Sequence, residues 1–420
     1  MKTIKAIFGD RGLRNRIFFV IGILVITRVL ATIPIPGVDT SNLASYLQGN
    51  GFLSLLNVFA GGGIATFSIV MLGVGPYITA SIIMQLMTVL SPRLKEMYQE
   101  EGDKGRRRFV QYGRLLTLPF AILQGFALIT LLERQNIIPT LSDTVMFMNL
   151  GIITAGTMLM MWLGEQINER GIGNGVSLII FAGIVASLPT TLGRFLITFD
   201  PSQIPMIVGL LVLSLIVVAG IVFITEAERP IPVTYARQTR LGGSAGFGSS
   251  TYLPLRLNQA GVVPIIFAVS ILLFPQLIGQ LLATSSSESL QSIARSINSA
   301  LANQWIYGSV YFFLVVSFTY FYTAVMFDPE KTADNLSKNG AFIPGFRPGA
   351  STAEHIGYVL ARVTLIGALF LGAVAVLPII VQGITGITAI AVGGTSLLIA
   401  VSVVLDLLKK IDAQLSMKEY

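Results

Sequence analysis

Apolar residues run along this chain in long blocks separated by short polar stretches. Most blocks reach about 18 residues or more, enough for a helix to cross roughly 30 Å of hydrocarbon. They predict membrane spans near 17–33, 67–91, 114–132, 149–164, 172–192, 205–225, 258–282, 305–327, 356–378 and 389–406. The first block lacks a small-residue cleavage site and reads as a retained span. One block breaks the pattern. Residues 52–66, FLSLLNVFAGGGIAT, avoid charge but are too short to cross, and Gly61-Gly62-Gly63 would end a helix within them. The block predicts a re-entrant half-helix folded back into protein; an interfacial loop helix fits the same pattern.

The polar stretches orient this thread. Five Lys and Arg precede the first span (Lys2, Lys5, Arg11, Arg14, Arg16), and seven lie between Arg93 and Arg114. Arg170 follows the fourth span, and Arg229, Arg237, Arg240 and Arg256 follow the sixth. Lys331, Lys338 and Arg347 follow the eighth; Lys409, Lys410 and Lys418 close the chain. Together these are 23 of the 28 basic residues, all on one side of a ten-span thread. Arg134, Arg194 and Arg295 fall on the other side, and Arg28 and Arg362 fall within spans. The positive-inside rule then puts both termini in the cytosol. Five spans per half, an odd number, invert the second half against the first, the arrangement of inverted-topology repeats. The expected halves are 1–200 and 201–420.

Composition agrees and removes chemistry. The chain is 53% hydrophobic and 12% charged, about half the charge of a soluble domain. Cysteine is absent and His355 is the single histidine, so thiolate nucleophiles, disulfides and Cys/His metal sites are excluded. The expected protein is no enzyme and needs no cofactor or metal. No Asp or Glu lies well inside a span; Glu133, Glu165, Glu226 and Asp406 sit at predicted ends. That argues against an ion-coupled transporter with inverted repeats, the main competing reading. Gly171-Ile172-Gly173-Asn174-Gly175 lacks the third glycine of a dinucleotide fingerprint and follows no strand. His355 is expected at a helix start.

What remains is apolar. Val74 and Ile78 are spaced i, i+4 around the Gly75-Pro76 break, and Val176 and Ile180 repeat the spacing after Gly175. Pro119, Pro264, Pro275 and Pro378 interrupt other spans. Paired β-branched residues could form a collar that holds back water and ions by dewetting, although such pairs are also ordinary in packed helices. Two stretches on the basic side, 226–257 and 327–355, are long enough to carry function. The first is read as a loop with a flexible tip at Gly242–Gly248. In the second, prolines and glycines around Arg347 would present the guanidinium on a projecting tip. Basic charge there would bind anionic lipid or the phosphates of an RNA surface.

Several segments carry a specific resemblance. TIPIPGVD (32–39), NVFAGGG (57–63), GPYITASIIMQLMTVLSP (75–92), MWLGEQINERGIGNGVSLIIFAGIVA (161–186), NQAGVVPIIFA (258–268), FYTAVMFDPEKTADNLSKNGAFIPGFRPG (321–349) and GGTSLLIAVSVVLD (393–406) resemble the bacterial SecY family, in order and along nearly the whole chain. The resemblance implies an all-α polytopic membrane fold with ten helices in two inverted five-helix halves and a plug. It implies a protein-conducting channel that passes unfolded secretory polypeptides across the bacterial cytoplasmic membrane and inserts membrane proteins sideways. A pore ring carries over onto Val74, Ile78, Val176, Ile180, Ile266 (with Ile265 the alternative) and Ile399; the two valines depart from the family pattern. The plug falls on Phe52, Leu55, Leu56, Phe59, Gly61, Gly62 and Gly63, and the lateral gate on Ser81, Gln85 and Asn258. Docking of the motor ATPase SecA or of the ribosome falls on Arg237, Arg240, Arg256, Lys338, Arg347, Pro348 and Gly349. Further implied partners are small SecE- and SecG-type membrane subunits, signal peptides and precursor chains, and anionic lipids.

Overall fold

A computed structural model describes residues 10–36, 43, 56–57, 60–197, 204–235, 250–261, 263–283, 287–385 and 388–416. The chain packs as two compact units. One comprises Met1–Leu210, Val269–Gly308 and Pro378–Tyr420; the other comprises Leu211–Ala268 and Ser309–Leu377.

The first unit opens with α1, Arg11–Thr32, capped by Asp10, whose Oδ1 accepts from the Gly12 amide at 2.9 Å. Then follow α2 (Gly75–Leu90), α3 (Pro92–Gln99), α4 (Gly102–Arg134), α5 (Asp143–Arg170) and α6 (Gly175–Ile197). α2 packs on α4, α4 on α5, α5 on α6, and α1 on both α5 and α6. Helix α7, Ile204–Glu226, leads out of this unit into the second. The last helix, α13 (Thr388–Ser416), returns to the first unit and packs on α6. The largest core of this unit gathers Phe67, Met71, Leu128, Ile129, Leu132 and Ile153, where the end of α4 meets the first half of α5.

The second unit holds strands β1 (Glu228–Tyr235) and β2 (Ser250–Arg256) and the start of α8 (Val263–Leu282) as far as Ala268; the rest of α8 belongs to the first unit. After α9 (Glu288–Ala302), which belongs to the first unit, come α10 (Gln304–Met326), α11 (Pro329–Lys338), β3 (Ala341–Phe342) and α12 (Ala350–Thr385). The sheet order is β2-β1-β3, all antiparallel, with Glu228 opposite Arg256 and Thr234 opposite Phe342.

Every predicted span coincides with a helix, with differences that have local causes. Among the described residues five helices are long and apolar enough to cross a membrane: Arg11–Thr32, Gly102–Arg134, Asp143–Arg170, Gln304–Lys338 and Ala350–Gly383. The span predicted at 67–91 is a helix only from Gly75, giving 16 residues, about 24 Å; residues 60–74 are consecutive turns. Phe67 and Gly73 have φ of +46° and +54°, which no right-handed helix accommodates. Prolines expected to interrupt spans do so less than predicted. Pro76 and Pro264 sit in the first turns of α2 and α8, where a missing N–H costs nothing. Pro119, Pro275 and Pro378 lie inside continuous helices. The region read as a loop after the sixth span is a hairpin instead. Pro230 and Pro232 are tolerated there because β3 pairs only with Thr234 and Tyr235, leaving that edge of β1 open. Residues 242–248 lie outside the described residues.

Candidate functional site

Helices α2 and α6 begin in the same way. Val74 caps α2 with φ −93° and ψ 3°, and its carbonyl accepts from the Ile78 amide at 3.0 Å. Val176 is the second residue of α6 and Ile180 lies one turn on. Asn168 and Asn174 organise this start: Asn168 Oδ1 accepts from Gly175 N at 2.7 Å, and the Asn174 carbonyl accepts from Leu178 N at 2.9 Å. Gly164 of α5 leaves room for Val176 and Ile179 beside it. Both predicted collar pairs therefore lie at the start of a helix, within its cap and first two turns, led in by a left-handed glycine, Gly73 (φ +54°) or Gly173 (φ +97°). Val74, Ile78, Ile180 and Ile399 are buried and Val176 is partly so; Ile399 lies on α13, the neighbour of α6. In the second unit Ile265 and Ile266 are both buried on α8, beside Phe267, whose ring meets Phe318 and Tyr322 edge-on at 6.0 and 6.2 Å.

The segment before α2 is held by backbone. Ile35 N donates to the Phe67 carbonyl at 2.9 Å, Ile69 N to Ile33 at 3.0 Å, and Thr66 Oγ1 to Ala31 at 2.7 Å. Leu56 and Asn57 are helical, and their carbonyls accept from Ala60 and Gly62 at 2.8 and 2.7 Å, closing the helix end. Gly61 and Gly62, at φ +70° and +88°, make the left-handed turn that this closure needs. A Cβ on Gly61 would lie 2.7 Å from the Arg28 guanidinium, and the same backbone abuts Gly183 of α6. A Cβ on Gly63 would meet Ser68 Oγ at 2.8 Å. The predicted glycine break is thus a wedge between α1 and α6. Phe52, Leu55 and Phe59 of the predicted plug lie outside the described residues.

Of the predicted gate residues, Ser81 and Gln85 lie on α2 and are partly buried. Asn258 is buried in the second unit, its Nδ2 donating to the Gly261 carbonyl at 3.2 Å; Leu257 beside it rests on Gly367 of α12. The side-chain oxygens of Gln85 and Asn258 are both buried without a hydrogen-bond partner among the described residues. An ion pair that the hydropathy reading passed over joins two helices of the first unit. Glu165, placed by sequence at a span end, is buried and accepts from Arg114 Nε at 2.7 Å, tying α5 to α4.

The two long basic-side stretches share one core. Ile231 and Val233 of β1 and Leu255 of β2 pack with Ala341, Ile343 and Ile356. Asp328 caps α11, its Oδ1 accepting from Glu330 N and Lys331 N at 3.0 and 3.2 Å, with Pro329 at the first helical position. Arg347 projects from a tip bounded by Gly345 and Gly349, at φ +89° and +97°. The tip is fixed on both flanks. Phe346 stacks on His355 with centroids 3.9 Å apart, and Thr352 Oγ1 donates to the Arg347 carbonyl at 2.8 Å. His355 thus sits near the start of α12, as expected. Arg347, Pro348 and Lys338 are exposed and Gly349 partly so, whereas Arg256 is engaged with Glu228 at 3.2 Å. Arg237 and Arg240 lie outside the described residues.

Known proteins resemble the chain throughout. A family model described as SecY matches residues 68–408. The protein translocase subunit SecY of Corynebacterium glutamicum is 41% identical over 442 residues, covering 100% of this chain and 99% of that protein. Its counterpart in Vibrio cholerae is 40% identical, covering 98% and 94%. Among solved structures, a protein-conducting channel aligns with TM-score 0.65 at 18% identity, over 94% of this chain and 91% of that one. The Sec61 channel of a canine ribosome–channel complex aligns with TM-score 0.63 at 18% identity, over the same shares.

Proposed function

This chain belongs to the SecY family of protein translocase subunits, and on that premise we propose how its own residues conduct a polypeptide. Its function is protein translocation through a membrane channel. The reading is carried by one observation: the aliphatic pairs Val74/Ile78 and Val176/Ile180 stand at the starts of two helices that begin at glycine turns, in a part of the chain without intramembrane acids.

In this proposal Val74, Ile78, Val176, Ile180, Ile266 and Ile399 form the pore ring of a ten-helix channel, built from halves 1–200 and 201–420 of opposite topology. An aliphatic ring offers no fixed charge and no hydrogen-bond pattern, so it accepts any sequence and still excludes water and ions by dewetting. Residues 52–66 act as the plug that closes the resting pore. The buried oxygens of Gln85 and Asn258, without a partner among the described residues, support a gate role: with Ser81 they would hydrogen-bond across a closed seam, and an entering apolar signal helix would replace that contact. Unfolded secretory chains pass through, and membrane segments leave sideways into the bacterial cytoplasmic membrane, with both termini of the channel cytosolic.

Driving force comes from partners. The shared core of the hairpin and the 327–355 stretch makes a rigid platform, and the clamped Arg347 tip, with Pro348, Gly349, Lys338, Arg256, Arg237 and Arg240, is the proposed docking surface for SecA or a ribosome. The resemblance to ribosome-bound Sec61 supports the ribosomal arm, and basic charge toward rRNA phosphates would provide the attraction. Small SecE- and SecG-type subunits complete the channel, and anionic lipids neutralise the basic N-terminal and Arg93–Arg114 segments. The test is Arg347→Glu in proteoliposomes with SecA, ATP and a precursor. The expected result is loss of most translocation with normal assembly; full translocation by the variant would overturn the docking assignment.

A further inference from the structure

Helix α12 carries a cation on its outer face that channel conduction does not use. Its exposed residues include a stripe at helical spacing: Glu354, Tyr358, Arg362, Leu365, Ile366 and Leu369. The stripe is polar before Arg362 and aliphatic after it, which marks the level where a membrane interface gives way to acyl chains. The Arg362 guanidinium lies 4.2 Å from the centroid of the Tyr358 ring, four residues back on the same face. Among the described residues no carboxylate forms an ion pair with it. Glu354 lies eight residues back, about 12 Å along the axis. From α10 the Tyr320 hydroxyl donates to the Ala361 carbonyl at 3.3 Å, bringing a second phenol to the patch.

We propose that Arg362, oriented by the Tyr358 ring, binds the phosphate of an anionic phospholipid headgroup. A guanidinium at the edge of hydrocarbon is costly unless an anion meets it. Its planar fork matches two phosphate oxygens at once, and the tyrosine ring beneath holds the plane in place. The aliphatic continuation of the stripe seats the acyl chains of the same molecule. A zwitterionic headgroup fits less well, because the one carboxylate on the stripe, Glu354, lies eight residues from Arg362, about 12 Å along the axis, too far to meet the ammonium beside a phosphate held at Arg362. The site needs only that α12 cross the bilayer, and it stands or falls apart from the pore, gate and docking assignments.

The test uses the full chain reconstituted in vesicles containing a photoactivatable phosphatidylglycerol or phosphatidylcholine, with labelled peptides read by mass spectrometry. Residues 358–369 should be labelled by phosphatidylglycerol about tenfold more than by phosphatidylcholine, as one charge-assisted contact allows. Arg362→Gln should abolish that preference, Arg362→Lys should keep part of it, and excess glycerol phosphate should not compete. Equal labelling by the two lipids, or a preference that survives Arg362→Gln, would overturn the site. So would displacement by glycerol phosphate, which would mean a free-phosphate site, or absence of label because a protein helix covers the stripe. Should Arg362→Gln fail to assemble, the wild-type ratio and the Arg362→Lys value decide.

Discussion

Gly73 and Glu165 show how single residues fix the start of α2 and the contact between α4 and α5. Gly73 has φ +54°, and a Cβ there would lie 2.8 Å from Ala60 Cα, so it fails on conformation and on space together. Left-handed backbone alone costs a branched residue about 1–2 kcal/mol. Gly73→Val is therefore expected to loosen the 60–74 turns and, on the plug reading, to raise the ion conductance of the resting channel in planar bilayers. Wild-type conductance and thermal stability would contradict it. Glu165 has the opposite problem: it needs its partner. Glu165→Ala would leave Arg114 without its carboxylate, but the Arg114 side chain is 40% exposed and can turn to water. The expected cost is about 1–2 kcal/mol, read as a lower thermal midpoint of the purified protein, with Glu165→Gln closer to wild type. Neither residue was legible as important in the sequence. A positive φ and an ion pair 51 residues apart leave no trace in hydropathy, whereas the Val74/Ile78 and Val176/Ile180 spacing could be read directly.

Among the elements, helices announced themselves and the small sheet did not. An uninterrupted apolar block leaves a backbone in hydrocarbon no choice but helix, so each predicted span found one. The hairpin was hidden by Pro230 and Pro232, which argue against a strand unless its edge is open, as the short β3 leaves it. Its alternation was present all the same: Ile231 and Val233 are buried in the core while Pro230 and Pro232, before and between them, are exposed. Val233→Asp would bury an unpaired carboxylate in that core. The expected outcome is rapid protease cleavage within 228–256 and loss of partner-driven translocation, with the membrane helices intact. A protease-resistant variant would contradict the shared core. Asp328→Ala removes the acceptor of both backbone N–H hydrogen bonds at the start of α11, a loss of about 1 kcal/mol. Amide exchange in 329–338 should quicken by about fivefold, and unchanged exchange would argue against the cap.

At the scale of the whole molecule the sequence joins long apolar segments with few charges to connecting segments that carry most of its 28 basic residues, and the proposed channel needs both. The apolar interior leaves the substrate's sequence unread; the basic platform lets an outside motor or ribosome supply the work. The proposed pore ring rests in part on two aliphatic pairs next to glycine breaks, which the sequence displays, but spacing alone could not separate a collar from ordinary packing. Ile266 and Ile399 came only from the resemblance, since nothing in a single buried isoleucine marks a path. The central claim is that a polypeptide in transit touches this ring. The direct measurement places a photocrosslinking amino acid at Val74 or Ile180, and as a control at Leu215, 60% exposed on α7, with a precursor stalled in mid-translocation. The account predicts strong crosslinks to the precursor from Val74 and Ile180 and none from Leu215. Crosslinks absent from the ring positions, or equal at all three, would contradict it.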